Sequence, residues 1–263
     1  MARRHFCRIA AIGLFVVAQS ALAAAADLKV LTTPALIEVW QELGPKFEAT
    51  GHKLTIAYAA SGAIGKRVTE GEIADLLVST PAGIDSLIKS GKVTDGTNIS
   101  IASSGMGVAV LKGAPKPDIS TPEAFRRALL AAKAVAYTDP TSGGASGVHL
   151  AKVLDRLGIA NEVNAKAKLG RGVPAGSFVV TGEADIAIQQ IPELLGVQGV
   201  ELVGPLPGDL QNVTTFAAGI PVGTAHGDAA KALVRFLQTP ESAAIIKKHG
   251  LDPIPPAPPA KAS

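Results

Sequence analysis

Cysteine is almost missing from this chain: there is one, Cys7, among 263 residues. It lies in a segment with the pattern of an export leader, so the remainder would carry neither a disulfide nor thiolate chemistry, and an oxidising compartment would not trouble it. Aromatic residues are scarce as well, at 4% with a single tryptophan. That argues against aromatic platforms for sugars or stacked bases. The long apolar run of a membrane helix is also absent. The stretch Ile9 to Val17 is far shorter than the roughly 20 residues a spanning helix requires.

An excess of one charge is missing too. The formal charge of +3 comes from 25 Lys+Arg against 22 Asp+Glu. Arg3, Arg4 and Arg8 precede the apolar run, and Ala21-Leu22-Ala23 follows it as a small-x-small cleavage site, so residues 1–26 read as a signal peptide. Without those three arginines the charges balance at 22 each. The basic pI of about 9.0 therefore belongs mostly to the leader, and nothing points to nucleic acid or an anionic membrane surface. The expected location is the periplasm.

What is present is hydrophobic content of 47%, mostly Ala, Val, Ile and Leu, in short apolar runs that alternate with helix-like segments. "LKVLTT", "KLTIAYAAS" and "ADLLVST" read as strands. "ALIEVWQELGPKFEATG" and "PAGIDSLIKSG" read as helices closed by Gly51 and Gly91. "SSGMGVAVLKG" reads as a long strand broken by Gly105 and Gly107, and "VTTFAAGIP" as a returning strand. The pattern predicts an α/β protein of two lobes, with residues 27–104 and 213–253 in the first and 105–212 in the second. Strands near Gly105 and Thr215 would cross between them as a hinge. The tail 254–263 is proline-rich and expected to be disordered.

The stretch "YTDPTSGGASGVHLAKVL" (Tyr137–Leu154) sets a glycine-rich loop against a helix start, where backbone N–H groups and the positive dipole end suit an anion. Ser146 and Gly147 stand at that start. Ser61 and Gly62 repeat the arrangement after the second strand, where a plain N-cap serine is the alternative. Thr32 and Thr33 end the first strand. Arg171, between glycines, could fork onto a carboxylate or simply be solvated. Lys66 and Arg67 could serve a larger anion or form an ordinary helix surface. Gln189 and Gln190 close a strand with amides suited to carboxylate or hydroxyl groups. The histidines His52, His149, His226 and His249 lack metal-ligand spacing, and no P-loop or dinucleotide fingerprint is legible, so no metal and no cofactor are expected.

The segments "KVLTTPALIEVWQELGPKFEATG", "AASGAIGKRVTEGEIADLLVST", "ASGVHLAKVLDRLGI", "GEADIAI" and "DAAKALVRFLQTPESAAIIKKHGLDP" together resemble, in order, the molybdate-binding family of periplasmic solute receptors. The resemblance implies the type II binding-protein fold: two lobes, each a mixed sheet flanked by helices, closing over a small anion for an ABC-type permease, as a monomer. It places ligand contacts at Ala35, with Thr32 and Thr33 just before it, at Ser61 with Gly62, near Ser146 and Gly147, around Val173, and at Gln189 or Gln190. Ala35 stands where the family usually has a serine, and a glutamine where it often has a tyrosine, which favours an organic carboxylate or another oxyanion over molybdate. The chain also resembles a divergent branch that includes aconitate isomerase. For that chemistry Arg171, Lys66 and Arg67 would supply charge, and His149 or Asp139 a base.

Overall fold

Apolar residues run nearly without interruption along the inner strands, as in LLVS (76–79) and IAIQQ (186–190), so both faces of a sheet can be covered. The computed structural model describes residues 25–256, so all but the last two residues of the leader reading lie outside it. The chain runs β1 (Asp27–Thr32), α1 (Ile37–Glu48), β2 (Lys53–Tyr58), α2 (Ser61–Thr69), β3 (Leu76–Ser79), α3 (Pro81–Lys89) and the long β4 (Ile99–Leu111). It continues through α4 (Pro122–Ala131), β5 (Val135–Thr138), α5 (Ala145–Arg156), α6 (Ala160–Asn164), β6 (Ala167–Gly170), α7 (Ala175–Val180), β7 (Ile186–Gln190), α8 (Ile191–Leu195) and β8 (Val200–Pro205). β9 (Val213–Gly219), α9 (Gly227–Leu237), α10 (Pro240–Lys248) and the short β10 (Asp252–Pro253) complete it.

Helix boundaries follow local chemistry. Thr80, Thr121 and Thr239 each precede a proline, and each hydroxyl accepts the N–H three residues on, from Gly83, Ala124 and Ser242 at 3.2, 3.1 and 3.3 Å. Such a cap contributes about 1 kcal/mol, and the proline supplies a pre-set φ where no N–H is needed. Gly51, Gly91 and Gly158 end helical stretches at φ +100°, +70° and +64°, the left-handed region that glycine enters without strain.

The strands form two sheets that share one strand. In the first, the order is β2-β1-β3-β9-β4-β10, with β1 parallel to β2 and β3, and β9 antiparallel to both its neighbours. In the second, β4 lies between β8 and β7, followed by β5 and β6. β4 changes partners within a single peptide: Gly105 still pairs with Val213, and Met106 already pairs with Gln190. The result is two lobes joined through one shared strand.

Each lobe has a core on both faces of its sheet. In the first, Leu28, Val30, Leu76 and Val78 pack with Trp40, Leu43 and Leu233, while Leu31 and Leu77 pack with Ile64 and Ile84. In the second, Val108, Tyr137 and Ile188 meet Phe125 and Leu150, and the alternating alanines Ala109, Ala136 and Ala187 admit α7 and α8 closely.

Three details depart from the sequence reading. Gly105 and Gly107 do not break β4, which is continuous. A methyl at Gly107 would stand 2.8 Å from Ile191 and 2.9 Å from Leu202, so glycine is there to let α8 and β8 approach. The second crossing lies at Gln211–Asn212, just before β9, and β9 itself belongs wholly to the first sheet. The end of the chain also stays attached further than expected: the Ile254 N–H donates to Ile101 O at 3.0 Å, and residues 257–263 lie outside the described ones.

Side-chain amides tie the crossing together. The Gln211 Oε1 accepts from the Met106 N–H at 2.8 Å, and its Nε2 donates to Met106 O at 2.9 Å, replacing one residue of a missing strand. Gln190, in the orientation that satisfies all its neighbours, donates to Ser104 O and Gly105 O, both at 3.1 Å, and accepts from Thr214 Oγ1 at 2.8 Å. Replacing Gln211 with alanine takes this acceptor from the Met106 N–H, which predicts a loss of about 1–3 kcal/mol. Urea denaturation of Gln211→Ala against wild type measures it, and an unchanged midpoint would refute the role assigned to this amide.

Candidate functional site

Strand ends and helix starts from both lobes converge on one cleft. A cavity of about 50 Å3 is bordered from the first lobe by Thr33, Pro34, Ala35, Ala60, Ser61 and Phe216. From the second it receives Thr138, Gly144, Ala145, Ser146, Gln190 and Glu193. Two further spaces share wall residues with it: one of about 220 Å3 that reaches Tyr58, Gly170, Val173 and Gln189, and one of about 140 Å3 bordered by Glu38, Pro174 and Val197. Pro34 and Glu193 border all three. Among the described residues no lysine, arginine or histidine lines any of them.

The donors here are therefore uncharged. The Thr33 hydroxyl oxygen is buried with no partner, in a residue only 4% exposed. An unsatisfied buried hydroxyl costs about 1–3 kcal/mol, which a bound acceptor would recover. α2 and α5 begin at Ser61 and Ala145 without a side-chain cap, unlike α3, α4 and α10. Their first-turn N–H groups have no intrahelical acceptor and stand at the cavity wall.

Glycines bring the two lobes into backbone contact beside this cavity. The Gly62 N–H donates to Gly143 O at 3.3 Å. A methyl at Gly62 would lie 3.2 Å from Gly143 Cα, and one at Gly143 would lie 3.1 Å from Gly62 Cα. Gly143 also has φ +71°. The run of small residues from Ser142 to Ser146 is thus one of the places where the second lobe touches the first, α8 beside Glu38 and Gly250 being another.

The candidate residues divide clearly. Thr33, Ser61, Ser146 and Gln190 border the small cavity, and Val173 and Gln189 the larger one. Thr32 is turned into the core, where its Oγ1 accepts from Trp40 Nε1 at 3.2 Å. Gly62 and Gly147 act through the backbone: a methyl at Gly147 would sit 2.3 Å from Thr138 O. Lys66 pairs with Glu70 at 3.7 Å and Arg67 with Glu72, both on the outer side of α2. His149 Nε2 meets Leu210 O at 2.8 Å, within the second lobe. His149, Asp139, Lys66 and Arg67 border none of the three spaces.

Asp139 is buried and fully engaged. It accepts from the Thr141 N–H and hydroxyl at 2.9 and 2.8 Å and from Arg171 Nε at 2.6 Å. The Arg171 guanidinium first, and then the two Thr141 donors, hold its carboxyl down at about 2, which makes it a weak base. Arg171 itself is 74% exposed, and among the described residues its two terminal nitrogens have no protein partner. Arg171 borders none of the three spaces, although its chain neighbours Gly170 and Gly172 border the larger one.

Sequence reasoning missed Glu193, Thr138 and Tyr58. Glu193 looks like an ordinary acid in the first turn of a short helix that starts with a proline. The fold instead places it between the lobes with one hydrogen bond, from Gln189 Nε2 to its Oε2. Burial pushes its carboxyl up to about 8, outweighing that hydrogen bond, so it is mostly neutral at pH 7.

Residues 28–252 match the family of bacterial extracellular solute-binding proteins. The chain belongs to this family. It is 35% identical over 258 residues to aconitate isomerase of a Pseudomonas species, covering 94% of this chain and 97% of that one. It is 29% identical over 249 residues to the molybdate-binding protein ModA of Rhodobacter capsulatus, covering 92% and 95%. Among solved structures, the periplasmic molybdate-binding protein of Azotobacter vinelandii superposes with a TM-score of 0.71 at 20% identity, covering 88% of this chain and all of that one. No helix among the described residues is long and apolar enough to cross a membrane.

The state of Asp139 carries a stability prediction with a definite sign. Its folded value lies below the ordinary 3.8, so its contribution is present above that pH and is lost as pH falls towards about 2. Asp139→Asn is expected to melt at a lower temperature than wild type at pH 7, with the gap closing near pH 2. A gap that stays constant between those pH values would contradict the Arg171–Asp139 pairing.

Proposed function

We propose that this protein closes its two lobes over a small organic polycarboxylate outside the cytoplasm, with aconitate as the first candidate. The observation that carries the proposal is the cleft itself: among the described residues, uncharged donors from both lobes, an unpartnered Thr33 hydroxyl and a neutral carboxyl border adjoining spaces that no cation lines. Water takes about 30 Å3 in the liquid. The about 220 Å3 that adjoins the small cavity is therefore several times what one water needs, and suits a branched carbon skeleton. One carboxylate would sit among the N–H groups of α2 and α5, and another would reach the mouth, where the terminal nitrogens of Arg171 offer a bidentate fork. The missing hydroxyl at Ala35, which borders the small cavity, counts against a tetrahedral oxyanion in that position. The partner implied is an inner-membrane ABC permease that accepts the closed form.

A second reading is favoured by one comparison. The relative at 35% identity, matched over nearly its whole length, is an aconitate isomerase, so the same cleft would convert cis- to trans-aconitate. Such a conversion removes one proton from the methylene carbon and returns one to the former vinyl carbon as the double bond shifts. It needs a group able to release and take a proton within the cleft.

Calorimetry with cis-aconitate, trans-aconitate, citrate, molybdate and sulfate tests the first reading. The carboxylates are expected to bind and the oxyanions to give little heat; heat from molybdate alone would overturn it. Ultraviolet absorbance with cis-aconitate then separates receptor from enzyme, because turnover changes the spectrum and saturable binding does not. Arg171→Ala is expected to weaken aconitate binding by about tenfold, in line with one lost hydrogen bond to a charged group. Thr33→Val is expected to weaken it to a similar extent through loss of the buried hydroxyl.

A further inference from the structure

Gln189 determines which oxygen of Glu193 can carry a proton. The Oε1 of Gln189 accepts from the Ala175 N–H at 2.8 Å, so its Nε2 is left to donate, and it donates to Glu193 Oε2. An oxygen that accepts in this way leaves the other, Oε1, to hold the hydrogen when the carboxyl is neutral. Among the described residues Oε1 has no protein partner, and Glu193 borders every part of the cleft. In a space without a cation, an ionised Glu193 would face a bound anion as a like charge.

We infer that Glu193 enters binding as a neutral acid, donating from Oε1 to an oxygen of the bound anion, so that anion affinity is linked to a proton. The inference rests on the small-carboxylate reading given above. Burial already keeps this carboxyl mostly protonated at pH 7, and a bound anion would hold the proton more firmly. Other titratable groups also stand around it. Glu38 on α1 and Tyr58 on β2 border the adjoining spaces, and burial pushes Tyr58 above its ordinary value. Glu201, on β8 beside α8, is paired with Lys116 at 2.7 Å. His249 and Lys248, at the end of α10 near α8, both meet Glu42, at 2.9 and 2.8 Å. β4, β7, α7 and the turn Pro34–Leu36 carry no titratable side chain.

The test is the pH dependence of aconitate affinity, by calorimetry from pH 6 to 9.5, where the ligand's ordinary carboxylates have already ionised. Wild-type affinity is expected to be level up to about pH 7 and to fall about thirtyfold by pH 9.5, at up to tenfold per unit above the Glu193 value. Glu193→Gln keeps both roles without a titrating proton, since its oxygen can accept from Gln189 and its nitrogen can donate. It is expected to bind at pH 7 with a level profile. Glu193→Met keeps the bulk but loses the donor, and is expected to bind about tenfold more weakly at pH 7. A wild-type profile that stays level to pH 9.5, or a folded Glu193→Gln that no longer binds at pH 7, overturns the inference. The 13C carboxyl resonance lost in Glu193→Gln gives a readout without ligand: titration near pH 8 supports the neutral acid, and titration below pH 6 overturns it. If no carboxylate binds at any pH, the underlying reading fails as well; aconitate binding with a low Glu193 titration fails the proton link alone.

Discussion

One strand must satisfy two sheets. β4 is hydrogen-bonded to β9 and β10 through its first half and to β7 and β8 through its second, with the exchange between Gly105 and Met106. Backbone groups at such an exchange have no continuous neighbour, and buried N–H and C=O groups are rarely left unpaired. The amides of Gln190 and Gln211 fill the gap, the first reaching Ser104 and Gly105 and the second Met106. Gln190 also borders the small cavity. A single residue therefore joins the junction between lobes to the wall of the cleft, and the geometry of closure and the geometry of the site are not independent.

The cleft imposes a second requirement, on size. Backbones from two lobes can share a hydrogen bond only where neither carries a side chain, and Gly62 with Gly143 meets that condition. Ser61 and Ser146 follow directly from it, because they flank these close approaches and lie at the wall of the small cavity. Small residues and hydroxyls at the contact, with longer cations such as Lys66 and Arg67 turned to the outside of α2, give a space rich in donors and poor in charge.

The fold was legible because it rests on short-range signals. The Thr-Pro helix starts at Thr80, Thr121 and Thr239, the closing glycines and the short apolar strand runs each specify one element locally. Half of the site was legible for the same reason: Ser61 and Ser146 sit at strand-to-helix junctions, a local pattern. The other half was not. Thr32 and Thr33 are adjacent and chemically alike, and only the packing of Trp40 decides that the first belongs to the core and the second to the cleft. Asp139 and His149 have the residue types of a proton-transfer pair, yet Arg171 and Leu210 O engage them away from the cavity walls. Glu193 could not be found at all, because its environment is made by elements from both lobes.

Absence of cations and protonation of Glu193 support each other. A lysine or arginine within reach would favour the carboxylate and pull its value down, as Arg171 does to Asp139. Two acids in one second lobe thus stand on opposite sides of neutrality, near 2 and near 8, and the difference lies in a guanidinium beside one and burial without a cation around the other. An acid kept neutral can give a proton to a ligand oxygen and also take one back, which a lysine in its place would not do as readily at neutral pH. A wall of this kind offers an anion hydrogen-bond donors in place of a lining cation.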